Sequence, residues 1–398
     1  MNPVQVNLLV LLMLLLFFSY FNFKKSGNII SLGVTFNGYA SLYFFLGLIL
    51  YEFLINHWFY NSDLILISRL AILSVVAFNV SYYLAPSLIK DSKYLPTNDI
   101  VIFACLIGIL CQFLMIVLVG PIEFFTMDRV ERFSYFDKYK ILLLLSGFMY
   151  IGFVMSAIRY YITNSAKDKR LLKLMFFVIL IYAIATVSRS HLTIIAITIG
   201  VFIERKSIIS RKKIVLSFCI IAFVMLFFKG FVYNIFFTDL SYETFNPGEF
   251  INWIRNTIMV LDSPDSNVNG IGGTSYLLTI KSLFLIEPGG EPLSQWFINE
   301  FYSDKASAGL TYGFSGIAEG YLAFGYLGVI LHFSIIGLFF GSLDKRKSFV
   351  SLVLMVFLIF LTFRIFRSES YNIVRTFSWY YLYPLLALVT IDKILRRI

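Results

Sequence analysis

The sequence predicts an all-α polytopic integral membrane protein of about eleven transmembrane helices with one large external loop that bears interfacial helices. Three observations predict it. The chain is 59% hydrophobic and only 14% charged, where soluble domains carry about 25% charged residues. Its mean hydropathy is +0.81. Its apolar residues fall into runs of about 20, the length a helix needs to cross a bilayer. No stretch is left for a separate soluble domain, so 1–398 reads as a single transmembrane domain with 232–313 as an external loop or lid within it.

The elements follow in order. The first run, Val4 to Phe23, has no Lys or Arg before it and reads as a retained span, not a cleaved signal peptide. Further spans are expected at 29–55, 64–85, 100–120, 141–161, 171–187, 191–203, 214–231, 314–341, 349–366 and 377–391. The run 191–203 is short and borrows residues from its flanks. Cys105, Cys111 and Cys219 lie inside apolar runs at no metal-binding spacing, so they read as packing residues.

Orientation follows from the basic residues. Lys24, Lys25, Lys90, Lys93, Lys167, Lys169, Arg170, Lys173, Arg205, Lys206, Arg211 to Lys213 and Lys345 to Lys347 fall in alternate loops, and Lys393, Arg396 and Arg397 end the chain. The basic side is cytoplasmic. This places the C-terminus inside, the N-terminus outside, and residues 121–140 and 232–313 on the outer face. The net charge of +10 therefore reads as a membrane-orientation signal and not as a surface for nucleic acid.

The stretch "IATVSRSHLTIIAI" places Arg189 and His191 at a tight outer turn, 188–190, between two spans. Other charged residues gather at the same outer level: Glu52, Arg69, Glu123, Lys229, Glu319, Arg364, Arg367 and Arg375. Long side chains near helix ends reach the interface by snorkelling, which explains Arg69, Lys229 and Glu52 taken singly and the inner Arg159 and Lys173. It does not explain Glu319, which is short and lies among Gly316, Gly320, Gly325 and Gly328 in "FSGIAEGYLAFGYLGVI". Gly316 and Gly320 suit close helix packing. Glu319 then either accepts a proton from a sugar hydroxyl or pairs with an arginine. Arginines at headgroup depth suit a phosphate or pyrophosphate, through paired charge-assisted bonds.

The outer loop has structure of its own. "NPGEFINWIRNTIMVLD" reads as an amphipathic helix, with Asn246 as N-cap, Pro247 at the first position and Glu249 closing the cap. Phe250, Trp253, Ile254, Ile258 and Leu261 share one face, and Asn252, Arg255 and Asn256 lie away from it. "PLSQWFINEFY" repeats the design with Leu293, Trp296, Phe297 and Phe301. Such helices are expected in the membrane interface, joined by flexible turns at "NGIGGTSY" and "EPGGEP". The expected arrangement is a lid, either over an outer cavity with Arg255 facing it or one that only packs, with Arg255 solvated.

No Asp-x-Asp pair occurs, no Walker-type glycine loop occurs, and His57, His191 and His332 are far apart in sequence. The sequence offers no pattern for metal or nucleotide chemistry, and no cofactor is expected.

Three segments carry a family resemblance. "ATVSRSHL" resembles the Ser-Arg outer turn, "SGIAEGYLAFGYLGV" the glutamate-bearing helix with its Phe-Gly, and "RIFRSESYNIVRTF" the late arginine segment of the bacterial oligosaccharide repeat-unit polymerases, the Wzy-type O-antigen polymerases. The likeness covers the chain from about residue 180 onward. Arg367 is followed by Ser368 and Glu369 where the pattern usually has a small residue, which leaves the role of Glu369 open. The resemblance implies a wholly membrane-embedded, lipid-linked glycosyltransferase (GT-C-like) architecture in the bacterial inner membrane. It implies transfer of a growing glycan from undecaprenyl pyrophosphate to a sugar hydroxyl of a lipid-linked repeat unit, without metal or nucleotide. On that reading Arg189 and Glu319 are catalytic. Arg189, His191, Arg255, Arg364, Arg367 and Arg375 bind pyrophosphate and glycan, and Glu319 orients or deprotonates the acceptor hydroxyl. The partners are the undecaprenyl-pyrophosphate-linked oligosaccharide and the lipid bilayer, and a chain-length regulator membrane protein is left open. An O-antigen ligase is the runner-up, but ligases usually carry a histidine in or just after the outer loop and 232–313 has none. A flippase or transporter of the same lipid would need a pathway from both faces.

Overall fold

Apolar runs of this length leave the backbone no polar partner but itself, and the chain answers with helices. The computed structural model describes residues 2–56, 62–86, 93–120, 123–124, 138–186, 189–217, 220, 248–261, 268–284, 286, 289–304 and 314–397, and among these no strand occurs. In order the helices are α1 (Pro3–Ser26), α2 (Leu32–Ile55), α3 (Ser62–Leu84), α4 (Asn98–Val119) and α5 (Lys140–Thr163). Next come α6 (Ala166–Ala185), α7 (Arg189–Arg205), α8 (Gly248–Leu261), α9 (Val268–Leu283) and α10 (Leu293–Phe301). The last are α11 (Gly316–Asp344), α12 (Phe349–Phe366) and α13 (370–395).

Among the described residues, seven helices are long and apolar enough to cross a membrane: α1 to α5, α11 and α12. The expected spans 171–187, 191–203 and 377–391 fall on α6, α7 and α13. These are helical but shorter or more polar: α7 has 17 residues, and α6 opens with Lys167, Asp168, Lys169, Arg170 and Lys173. Lys229, Cys219, His57, Asn246, Pro247 and most of the expected span 214–231 lie outside the described residues.

The chain divides into two compact units. The first is Met1–Lys90, Asn246–Arg346 and Leu361–Arg375, and the second is Asp91–Phe245, Lys347–Phe360 and Thr376–Ile398.

In the first unit, α1, α2 and α3 are tied by three buried asparagines. Asn79 Oδ1 accepts from Asn22 Nδ2 at 2.6 Å and Asn37 Nδ2 at 3.0 Å, and Asn79 Nδ2 donates to Asn37 Oδ1 at 2.9 Å. Small polar side chains that satisfy one another suit helix contacts in lipid. Gly337 and Gly341 let α11 approach the backbone of α3 at Phe78 and Tyr82. Phe36 stacks on Phe78 at 3.5 Å and Tyr43 on Phe366 at 5.6 Å.

The loop helices pack on this unit, where the sequence suggested a place in lipid. Trp253 is 2% exposed, donates from its indole to the Tyr43 carbonyl at 3.0 Å and meets Phe44 at 5.2 Å. Gly47 makes room, since a Cβ there would lie 2.5 Å from the Phe250 carbonyl oxygen. Phe250, Trp253 and Ile254 are buried as expected, but so are Asn256 and Thr257, while Ile258 is only half-buried. Packing between spans buries a helix on more than one side, so a single apolar stripe understates its contact face. The expected joint "NGIGGTSY" is also not a turn, because it lies within α9. Each glycine costs a helix about 1 kcal/mol relative to alanine, and the tertiary bonds of Ser275 and Tyr276 described below offset it. Only the second joint bends, at Gly289 and Gly290.

In the second unit, α4 and α5 meet at small residues: a Cβ on Gly152 would lie 2.6 Å from Cys105 Sγ. Cys105 and Cys111 are buried and free, as packing residues should be. Arg159, expected to snorkel, instead pairs with the buried Asp168 at 2.8 Å, and Asp168 also accepts from Thr163 Oγ1 at 2.6 Å. Asp392 accepts from Tyr94 Oη at 2.7 Å and Thr97 N at 3.1 Å and pairs with Arg396 at 2.8 Å.

Trp253→Asp buries an unpaired charge against α2 and removes a filled volume. It is expected to lower thermal stability in detergent by about 3 kcal/mol or more. Asn252→Asp, on a half-buried position of the same helix, is expected to change it by about 0.5 kcal/mol or less. Equal melting temperatures for the two variants would show that α8 does not dock through Trp253.

Candidate active site

The site is built around a helix that folds back on itself. α11 starts at Ser315, whose hydroxyl accepts from Ala318 N at 3.1 Å. It runs to Ala323 and breaks at Phe324 (φ −148, ψ 29) and Gly325 (φ 58, ψ −140). The Gly325 conformation is one that only glycine adopts readily. A Cβ on Gly320 would lie 3.0 Å from the Gly328 carbonyl oxygen, and one on Gly316 would lie 2.7 Å from His332 Nε2. In a straight helix Gly320 and Gly328 would be about 12 Å apart, so the arm 316–323 lies antiparallel against the leg that follows. The expected span 314–341 is therefore a short re-entrant arm plus a leg, 326–344. That leg is about 28 Å long and sufficient to cross hydrocarbon.

The arm carries Glu319 into the interior, where it is 0% exposed. Its Oε1 accepts from Ser275 Oγ at 2.5 Å and Ser370 Oγ at 2.6 Å, and its Oε2 accepts from Ser370 N at 2.6 Å. Its partners among the described residues are serine groups of the chain itself, and no arginine is among them. Three segments meet on this carboxylate: the arm, α9, and the first residue of α13. The N-terminus of α13 adds its own attraction for a negative group. Thr279 Oγ1 lies 2.8 Å from Ser370 Oγ and extends the cluster.

Glu369 makes a second knot and has a definite role. It is 0% exposed and accepts from Ser294 N at 3.1 Å, Ser294 Oγ at 2.6 Å and Asn372 Nδ2 at 2.8 Å. Its carboxyl thus sits at the start of α10 and fixes that helix to the arginine segment. Burial pushes its pKa up to about 7; the Ser294 bonds oppose the rise and the nearby charge of Glu319 adds to it.

His332 completes the group. Its Nδ1 lies 2.9 Å from Tyr276 Oη, and its Nε2 is buried without a hydrogen-bond partner among the described residues. Burial, with Glu319 beside it, pushes the Tyr276 phenol up, which keeps it protonated.

The arginines divide between the two units. Arg364, Arg367 and Arg375 belong to the first, on the turn from α12 into α13: Arg364 O accepts from Arg367 N at 3.0 Å and Ser368 N at 2.7 Å. Arg364 and Arg367 are half-buried, with the Arg367 guanidinium 5.9 Å from the Phe363 ring centre. Arg375 is exposed and donates to Tyr371 Oη at 3.2 Å. Arg255 is also in this unit. It is exposed and donates to Tyr302 Oη at 3.2 Å, on helices whose buried faces share a core of Val260, Leu293, Phe297, Phe314 and Ala318. Arg189 and His191 belong to the second unit, at the first turn of α7. His191 is held by aromatics: Tyr150 Oη lies 2.8 Å from Nδ1 and the Tyr182 ring 5.0 Å away.

The sequence singles out Glu319 but not Ser275, Tyr276, His332 and Ser370 around it, nor Ser294 at Glu369. The signal for His332 was present: a Phe-Gly break midway between Glu319 and His332 allows the two to share one hairpin. The serines carried none, since a serine next to a span is ordinary. Comparison with protein-family models, curated proteins and solved structures finds no match to this chain.

The raised Glu369 pKa has a pH consequence. The folded state holds a proton on Glu369 that the unfolded chain releases near the ordinary value of 4.5. The stabilisation is complete below about pH 4.5 and is lost as pH rises through about 7. Wild type should therefore lose thermal stability relative to Glu369→Gln across that window. Parallel melting curves of the two proteins from pH 4.5 to 8 would refute the shift.

Proposed function

We propose that the protein is a lipid-linked oligosaccharide polymerase of the bacterial inner membrane, acting at its outer face on undecaprenyl-pyrophosphate-linked glycans. The observation that carries the reading is the meeting of two resemblance-bearing segments at one carboxylate. Glu319, in "SGIAEGYLAFGYLGV", takes both bonds of Ser370, in "RIFRSESYNIVRTF". The outer-loop helix α9 joins them through Ser275. Segments far apart in sequence converge on one buried polar cluster beside an arginine-bearing turn.

On this reading an acceptor sugar hydroxyl attacks the anomeric carbon of the donor glycan. The carbon–oxygen bond to undecaprenyl pyrophosphate breaks, and the electron pair leaves on the pyrophosphate. The hydroxyl proton passes toward Glu319, whose Oε2 accepts one bond where a carboxylate oxygen has room for about two. Arginines are suited to the charge that develops on the leaving oxygen. Arg364 and Arg367 are held for this by the tight turn that Glu319 and Glu369 fix. Arg189, at the start of α7, grips a lipid pyrophosphate.

Orientation is checked by cysteine labelling in a background without the native cysteines. Asn299 and Lys347 are exposed. Asn299→Cys should react with a membrane-impermeant thiol reagent in intact spheroplasts, and Lys347→Cys only after lysis. The reverse pattern would place the outer loop inside and end the proposal.

Catalysis is checked with one defined undecaprenyl-pyrophosphate repeat unit. Wild type should extend it to a ladder without added metal or nucleotide. A guanidinium bonds two phosphate oxygens at once and an ammonium does not. Arg189→Lys, at equal expression and melting temperature, should therefore lose roughly 10²–10³ in rate. An unchanged ladder at an unchanged rate would make Arg189 an interfacial anchor.

A further inference from the structure

The basic end of the first unit holds an unbalanced buried charge. Lys25 and Lys345 gather there on the open end of α3. Lys25 Nζ donates to the Tyr82 carbonyl at 2.8 Å and the Tyr83 carbonyl at 2.7 Å, and Lys345 Nζ donates to the Ala85 carbonyl. These bonds satisfy the last carbonyls of α3 and suit the negative end of a helix. Asp344 faces them, and its Oδ2 accepts from Tyr82 Oη at 2.6 Å and from Gly33 N at 3.4 Å.

Arg346 is the next residue but one. It is 6% exposed, and its Nε and Nη2 atoms are buried without a hydrogen-bond partner among the described residues. A buried guanidinium left unpaired costs several kcal/mol. Asp344 acts on Lys25, and among the described residues no hydrogen-bond partner meets Arg346 Nε or Nη2. Guanidinium nitrogens side by side match two oxygens of a phosphate in a way a single halide does not. The place fits as well, because α1, α3 and α11 all end here, and the ends of spanning helices lie at headgroup depth.

We propose that the Asp344–Arg346 turn, with Lys25, is a phosphate-binding site, and that its occupant is the phosphodiester of an anionic phospholipid. Arg346 holds two phosphate oxygens through Nε and Nη2. Lys25 and Lys345 supply long-range attraction while they keep their carbonyl bonds. Asp344 sets the limit, since it disfavours a second negative group at the same spot. The site is independent of Glu319 and of any glycan chemistry.

The experiment uses the full chain in lipid nanodiscs, read by native mass spectrometry and by melting temperature. Wild type released from discs of phosphatidylcholine with about a third phosphatidylglycerol should retain one phosphatidylglycerol, and its melting temperature should exceed that in pure phosphatidylcholine. Arg346→Gln should lower the retained fraction about tenfold, the effect of losing one charge-assisted contact of roughly 1.5 kcal/mol. Lys347→Gln, an exposed neighbour, should leave it unchanged. Inorganic phosphate titrated into phosphatidylcholine discs separates the sources. If it raises the melting temperature of wild type but not of Arg346→Gln, and phosphatidylglycerol does not, the site takes a soluble phosphate and the lipid assignment is overturned. If wild type responds to neither, there is no phosphate site. That arm needs no variant, so a failure of Arg346→Gln to fold would not protect the proposal.

Discussion

A carboxylate sealed from water must find its donors inside the protein, and Glu319 finds three in two serines. Much of the first unit is arranged to meet that demand. The arm that carries Glu319 must turn back into the interior, which requires the break at Gly325. The arm must then lie against its own leg, which requires glycine at 316, 320 and 328. The donors come from α9 and α13, so the loop helix α9 and the arginine segment are fixed by the same group. Removal of one partner from such a knot leaves the others buried and unsatisfied, a larger loss than the bonds themselves contribute.

The broad fold was legible because hydrophobic runs and basic loops are additive signals. Each of the seven long apolar helices coincides with an expected span. The loop helices α8 and α10 were legible from Trp and Phe spacing, α10 to within one residue of its ends. What the sequence hid was where those faces would go. Trp253 reads equally well as a residue for lipid or for protein, and only Gly47 on α2 decides between them. Asn256 reads as exposed because it is polar. "NGIGGTSY" reads as a joint because its glycines lower helix propensity, and the bonds that override this lie 44 and 56 residues away in sequence.

The candidate site was legible only in part, for a related reason. Glu319 was conspicuous because charge is costly in an apolar run. His332 lay in the same run but looked isolated, since helical spacing puts it about 20 Å from Glu319. The Phe-Gly break removes that distance. Glu369 looked like a departure from the expected pattern, yet it caps α10 as Glu319 caps the start of α13. Arg189 and His191 stand on a different unit, and periodicity alone could not assign them to one.

The three asparagines that tie α1, α2 and α3 bear on how the chain is made. The first unit draws on residues as late as Arg375, and the second interrupts it after Lys90. At roughly 5–20 residues per second, α1 to α3 wait on the order of 10–30 s in the membrane before α8 begins to emerge. Unsatisfied polar groups would be a hazard during that delay. Asn22, Asn37 and Asn79 all lie within the first 90 residues and satisfy one another. The asparagine cluster of the early bundle is thus complete before its later partners exist, and Glu319 and Glu369, which depend on late segments, are themselves synthesised late.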